Sequence, residues 1–200
     1  MSKGDPIQLE AAEHISKKWL TQYREHCEPE ARIHICGSIR RKEKMVRDID
    51  ILVIDAAMSG AFQRGAKFDG VELNLCFIAP VSEGAGLLFL TGSSHFNISL
   101  RAIAKRKGMK LNRYGLWRGD ALIASKTETD IFKALGMDYV APEGRRSPTG
   151  MGLEGIKIIG SQQTAYEVFI NSVHGFNFCS CKGFQYRRNC RHLGDAQEQV

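Results

Sequence analysis

Gly37-Ser38-Ile39-Arg40-Arg41, followed after six residues by Asp48-Ile49-Asp50 at the head of the apolar run Ile51-Leu52-Val53-Ile54, is the stretch on which the reading of this chain turns. A Gly-Ser pair lets backbone amides and a hydroxyl approach phosphate oxygens, and two arginines add fixed positive charge. Asp48 to Ile54 reads as a strand, and carboxylates at i and i+2 of a strand share one face. The pattern suits a phosphate cradle beside a clamp for a divalent cation, the equipment of nucleotidyl transfer. A turn followed by a strand with solvated acids would explain the alternation. It would not explain the Gly-Ser-Arg-Arg ahead of it.

Upstream, Ala12, Ile15, Trp19, Tyr23 and Cys27 form the stripe of an amphipathic helix, capped by Asp5-Pro6 and ended by Glu28-Pro29. Arg32 to Cys36 alternates as a strand. Downstream, residues 59–66, with two glycines, read as a link to a third strand. There Val71, Leu73, Leu75 and Phe77 form one face, and Glu72, Asn74 and Cys76 the other. Beside the Asp48–Ile54 strand, Glu72 would face the same spot as Asp48 and Asp50, assembling three carboxylates. Pro80 to Gly86 reads as a loop. Gly92-Ser93-Ser94 then starts a helix to about Lys107, with Phe96, Leu100 and Ile103 inward and Asn97, Arg101 and Lys105 along a polar face.

Lys110–Trp117 and Asp120–Ala124 look like a hairpin. Thr127-Glu128-Thr129-Asp130 resembles a capping box for a helix over Ile131–Leu135. Pro142 to Gly155 is rich in Gly, Pro and Arg and marks a boundary. Beyond it Gly155–Gly160 and Ala165–Ser172 read as strands, with a turn at His174-Gly175. The expected class is α+β: a mixed sheet with helices over residues 1–145, then a linker and a small appended unit over 146–200.

Two hundred residues suffice for one core plus a small appendage. No apolar run approaches the roughly 20 residues of a membrane helix, and Met1 to Pro6 lacks an apolar signal core. These features point to a soluble intracellular protein of cytoplasm or nucleoid, without a membrane partner; the oligomeric state stays open. The net charge is +6. Arg101 to Arg118 holds seven basic residues, Lys105 and Arg113 among them, and no acidic one. Lys182, Arg187, Arg188 and Arg191 form a second basic group. A solvated cationic face would account for either cluster, but two of them beside phosphate chemistry favour nucleic acid. Cys27, Cys36 and Cys76 read as core thiols. Cys179, Cys181, Cys190 and His192 are crowded, and in an intracellular chain such crowding suggests a metal.

The opening motif resembles the nucleotide- and metal-binding motif of the family X DNA polymerases. A second stretch narrows the likeness: Phe89-Leu90-Thr91-Gly92-Ser93-Ser94-His95-Phe96-Asn97, then Arg101, then Lys110-Leu111-Asn112-Arg113-Tyr114-Gly115-Leu116 is similar to the thumb-side segment of polymerase beta and its relatives. Thr129-Asp130-Ile131-Phe132 with Tyr139-Val140-Ala141-Pro142-Glu143 resembles the end of that region.

The resemblance implies a palm and small thumb that add dNMPs from dNTPs to a primer 3′-hydroxyl, on primer-template or gapped DNA, in gap filling or repair. Asp48, Asp50 and Glu72 would bind two Mg²⁺ (or Mn²⁺) ions. Gly37, Ser38 and Arg41 would hold the triphosphate. Phe89 and Gly92 would sit against the sugar, Asn97 would reach the base, and Arg101 would contact the template. Three departures stand out. The family's third carboxylate is usually Asp, and here it would be Glu72. Phe89-Leu90 replaces the frequent Tyr-Phe. No counterpart of the N-terminal lyase or helix-hairpin-helix regions precedes the motif, a reduced form comparable to minimal viral members and suited to a virus or mobile element. Template-independent or RNA-directed transfer, and a DNA-binding module with weak catalysis, remain as alternatives.

Cys179-Ser180-Cys181, eight residues, then Cys190-Arg191-His192 is similar to the SWIM zinc finger. Three thiolates and an imidazole suit one tetrahedral, structural Zn²⁺. By resemblance such a finger binds DNA or protein, and Arg187 and Arg188 favour DNA.

Overall fold

The computed structural model describes residues 5–26, 31–146, 155–159, 165–171, 176–179 and 191–192. A short strand β1 (Ile7–Gln8) leads into helix α1 (Leu9–Arg24). The helix starts after Gln8, three residues later than the Asp5-Pro6 cap would place it, because Ile7 and Gln8 pair with Val46 and Met45. Strand β2 (Arg32–Ile35), the four-residue helix α2 (Gly37–Arg40), strand β3 (Met45–Val46) and strand β4 (Asp48–Ile54) follow. Next come β5 (Phe62–Phe68) and β6 (Val71–Ile78).

The central sheet has the order β2-β4-β6-β5, with β4 and β6 parallel and both outer pairs antiparallel. β5 is a strand where the sequence suggested a link. Gly65 takes a positive φ of 77° and the register shifts between Gln63 and Ala66, a bulge that breaks the alternation.

Each face of the sheet has its own fate. Ile49, Ile51 and Val53 of β4, with Leu73, Leu75 and Phe77 of β6, are buried under Ala12 and Trp19 of α1. On the opposite face Leu52, Ile54, Cys76 and Ile78 are buried with Leu90. That residue belongs to helix α3 (Glu83–Thr91), which follows a 3-10 turn at Pro80–Ser82. The expected loop over Pro80–Gly86 is therefore mostly turn and helix. Its glycines serve close packing. A Cβ on Gly84 would overlap the backbone of Thr127, and one on Gly86 would overlap Ile78 Cδ1.

A second core joins α3, helix α4 (Ser94–Arg106), the three-stranded sheet β7 (Lys110–Asn112), β8 (Gly115–Arg118) and β9 (Ala121–Ala124), and helix α5 (Glu128–Ala134). Phe96, Leu100, Leu116, Ile131, Phe132 and Leu135 are completely buried there. Ser93 caps α4 by accepting from Phe96 N, and Thr127 caps α5 by accepting from Asp130 N. The Thr127–Asp130 pair closes reciprocally, with Oγ1 donating to Oδ2 at 2.6 Å.

A separate antiparallel sheet, β10 (Gly155–Ile159), β11 (Ala165–Asn171) and β12 (Phe176–Cys179), follows. The third strand was not foreseen. The turn expected at His174-Gly175 lies outside the described residues. The α+β class stands.

Candidate active site

The acids of β4 lie at the start of the strand. Leu52 and Ile54 on the same face are covered by apolar residues, while Asp48 and Asp50 open on a cleft of about 430 Å³. Cys36 N donates to Asp50 O at 2.7 Å, which sets α2 against that strand end. Gly37 begins the helix at φ +56°, and a Cβ there would overlap Asp50 Oδ2. Glycine is needed twice at this position, for the left-handed backbone and for the approach to the carboxylate.

α2 divides its arginines. Arg41 faces the cleft beside Ser38, with Nη2 3.3 Å from Ser38 Oγ, and Nη1 donates to Thr91 O. Arg40 turns away. Its guanidinium forks onto Glu128 Oε1 and Oε2 at 3.0 and 2.8 Å and reaches Thr91 Oγ1. Glu128 also accepts from Arg145 Nη1 at 2.6 Å and Tyr139 Oη at 3.2 Å. Arg145 is wholly buried, its Cζ 5.5–5.6 Å from the ring centroids of Phe96, Phe132 and Tyr139. Burial alone would raise the Glu128 pKa. Hydrogen bonds and charge from Arg40 and Arg145 outweigh it and hold the carboxyl below its ordinary 4.5. The nucleotide-motif helix is thus tied to α5 and to the segment at Arg145.

The opposite wall comes from the end of α3 and from α4: Phe89, Thr91, Gly92, Ser93, Asn97 and Arg101. Asn97 Nδ2 donates to Phe89 O at 2.7 Å, joining the two helices. Arg101 is exposed, its Nε donating to Asn97 O at 3.1 Å. Lys105 is exposed farther along α4. Arg113, expected on DNA, donates to Gly60 O at 3.1 Å and to Tyr114 Oη at 2.7 Å. It ties the β7–β9 sheet to the loop before β5. Burial pushes the Cys36 thiol up to about 12 and raises Cys76 as well, so neither offers a thiolate.

The expected third carboxylate, Glu72, has a neighbour on the same face. The parallel register pairs Asp48 with Glu72 and Asp50 with Asn74. Glu72 lines the cleft. Among the described residues, however, no three His, Cys, Asp or Glu side chains form a group able to hold a metal ion. Between the two aspartates stands an amide: Asn74 Nδ2 lies 3.1 Å from Asp50 Oδ1 and 3.4 Å from Asp48 Oδ2. Counting acids on the right face selected Glu72. The rung opposite Asp50, the more central of the two aspartates, belongs to Asn74. Phe62 and Arg64 also line the cleft, with Arg64 Cζ 4.7 Å above the Phe62 ring. They went unnoticed because their strand read as a link.

The DNA polymerase beta thumb family model matches residues 86–146, and the SWIM zinc finger matches residues 166–194. The repair DNA polymerase X of African swine fever virus (isolate Tick/South Africa/Pretoriuskop Pr4/1996) is 29% identical over 136 residues, 54% of this chain and 78% of that protein. DNA polymerase lambda of Rattus norvegicus is 37% identical over 101 residues, 44% of this chain. In fold, the chain resembles Leishmania infantum polymerase beta in a ternary P/T complex, with a TM-score of 0.61 and 20% identity over 72% of this chain and 77% of that one.

The chain is similar to the family X DNA polymerases and carries a polymerase beta thumb match over residues 86–146.

The chain spans only 17% of the length of the rat enzyme. Within it, the polymerase beta thumb match takes in α3, α4, the β7–β9 sheet, α5 and Arg145, the elements of the second core. The SWIM match takes in β11 and β12. Cys179 Sγ lies 3.7 Å from His192 Nδ1, which brings the first and last expected zinc ligands together. Cys181, Cys190, Arg187 and Arg188 lie outside the described residues. Among the described residues no helix is long and apolar enough to cross a membrane.

Proposed function

We propose that the chain is a DNA-directed DNA polymerase that extends a primer 3′-hydroxyl with nucleotides from dNTPs, inside the cell, in gap filling or repair. One observation carries this reading: Ser38 and Arg41, Asp48 and Asp50, and the wall from Phe89 to Arg101 open on a single cleft. Ser38 and Arg41 bind the β- and γ-phosphates, and the first-turn amides of α2 add donors. Gly92, without a side chain, leaves room for the sugar against Phe89. Asn97 and Arg101 face the base and the template strand. The primer oxygen bonds to the α-phosphorus, the bond to the bridging oxygen breaks, pyrophosphate leaves, and the hydroxyl proton passes to solvent.

Two carboxylates beside a phosphate site suit a Mg²⁺ ion, which binds through one or two carboxylates plus substrate oxygens. Asp48 and Asp50 would hold it, and its chemistry there would be neutralisation of the charge that develops in phosphoryl transfer. Residues 1–145 form the catalytic unit in this proposal. The C-terminal unit is a finger with one zinc on Cys179, Cys181, Cys190 and His192, gripping DNA through Arg187 and Arg188. A second reading, a DNA-binding module with weak catalysis, is favoured by the neutral amide of Asn74 between the aspartates.

Extension of a labelled primer with each single dNTP, on gapped, open-template and single-stranded substrates, separates the readings. Incorporation opposite the complementary base supports the templated polymerase. Addition without a template points to a terminal transferase, and binding without extension points to the module. In the first case Asp50→Ala lowers the extension rate by more than about a hundredfold.

A further inference from the structure

We propose that Asn74, and not Glu72, is the third member of the carboxylate site, its amide serving two states. Without a cation, Nδ2 holds Asp48 and Asp50 together. With one, the amide turns and Oδ1 joins the two aspartates as a ligand. The inference rests on the reading of the cleft as a nucleotide site.

The backbone places the residue. In a parallel pair, residues in register project to one face, so Asn74 stands beside Asp50 and Glu72 beside Asp48, one rung farther along. The amide nitrogen bridges both carboxylates, at 3.1 and 3.4 Å, in the place a cation would occupy between them. The same side chain carries an unused atom. Asn74 is 8% exposed, and its Oδ1 is buried with no hydrogen-bond partner. A buried acceptor left unpaired is costly and calls for a second use. A half-turn about Cβ–Cγ exchanges two atoms of nearly equal size. It points the idle oxygen into the cleft that Asn74 already lines. Carboxylate and amide oxygens are the donors that Mg²⁺ and Mn²⁺ prefer.

Charge gives the consequence. Two aspartates and an amide carry one negative charge fewer than three carboxylates. The site therefore holds a cation weakly alone and firmly only when the triphosphate supplies further oxygens, so cation and nucleotide enter together.

The test is binding of Mn²⁺ alone, followed by its electron paramagnetic resonance signal, to the full chain. Asn74→Asp is expected to tighten binding at least tenfold, since it adds a unit charge a few ångströms from the ion. Asn74→Leu weakens it at least threefold, Glu72→Gln leaves it within twofold, and Asp50→Ala abolishes it. Unchanged affinity in Asn74→Asp, or a tenfold loss in Glu72→Gln, overturns the proposal. Should Asn74→Asp not fold, the Asn74→Leu and Glu72→Gln pair decides by the same margins. A chain that binds Mn²⁺ in this pattern but extends no primer keeps the cation site and loses the polymerase reading. One that extends primers but binds Mn²⁺ through Glu72 does the reverse.

Discussion

Single residues in this chain hold distant parts in register. Gly37 is one: its φ of +56° and its contact with Asp50 leave no space for a methyl group. Gly37→Ala is expected to cost about 1–3 kcal/mol of stability and to displace Asp50, lowering extension more than unfolding accounts for. Paired melting and primer-extension measurements would show both. Glu128 is another. Its carboxyl is held below 4.5 in the folded chain, so the ionised form stabilises the fold above that value. The contribution is lost as the pH falls below 4.5 through the folded pKa. Glu128→Gln leaves the buried Arg145 without its carboxylate partner, at a cost of about 3–5 kcal/mol at neutral pH. Its melting temperature should also fall less steeply than that of the wild type between neutral and acid pH.

Elements differ in how well the sequence announces them. β4 and β6 alternate at their starts and run apolar beyond Asp50 and Asn74, because there one face packs on α1 and the other on α3. α3 was hidden by Gly84 and Gly86, which look like loop residues but serve two close approaches, to Thr127 and to Ile78. β5 was hidden by its bulge and its polar edge. The Gly37–Arg41 and Asp48–Asp50 parts of the site were legible because chemistry dictates those residue types. Asn74 was not, because a search for acids passes over an amide and only the register reveals its place. Arg113 has a partner that charge counting does not reveal. Its guanidinium lies 5.8 Å from the Phe62 ring and is engaged with Gly60 O. Arg113→Ala should therefore lower stability by about 1 kcal/mol while leaving the salt dependence of DNA binding unchanged, a contrast that titrations at several salt concentrations would reveal.

At the scale of the molecule, two cores and a C-terminal sheet are strung on one chain. The C-terminal sheet brings Cys179 and His192 within 3.7 Å. A structural zinc there would supply the folding energy of a unit too small to bury much surface. Chelation of zinc should then make residues 155–192 sensitive to protease, with the melting of the first two cores retained. The Arg40–Glu128–Arg145 knot carries a consequence in time. Arg40 and Glu128 are 88 residues apart in sequence. On a ribosome adding about 5–20 residues per second, α2 is made several seconds before the carboxylate that anchors it. Until Glu128 and Arg145 have also emerged, Arg40 and Arg41 reach only Thr91 across the cleft. The knot itself closes in one late step, when the last arginine is drawn in among its three rings.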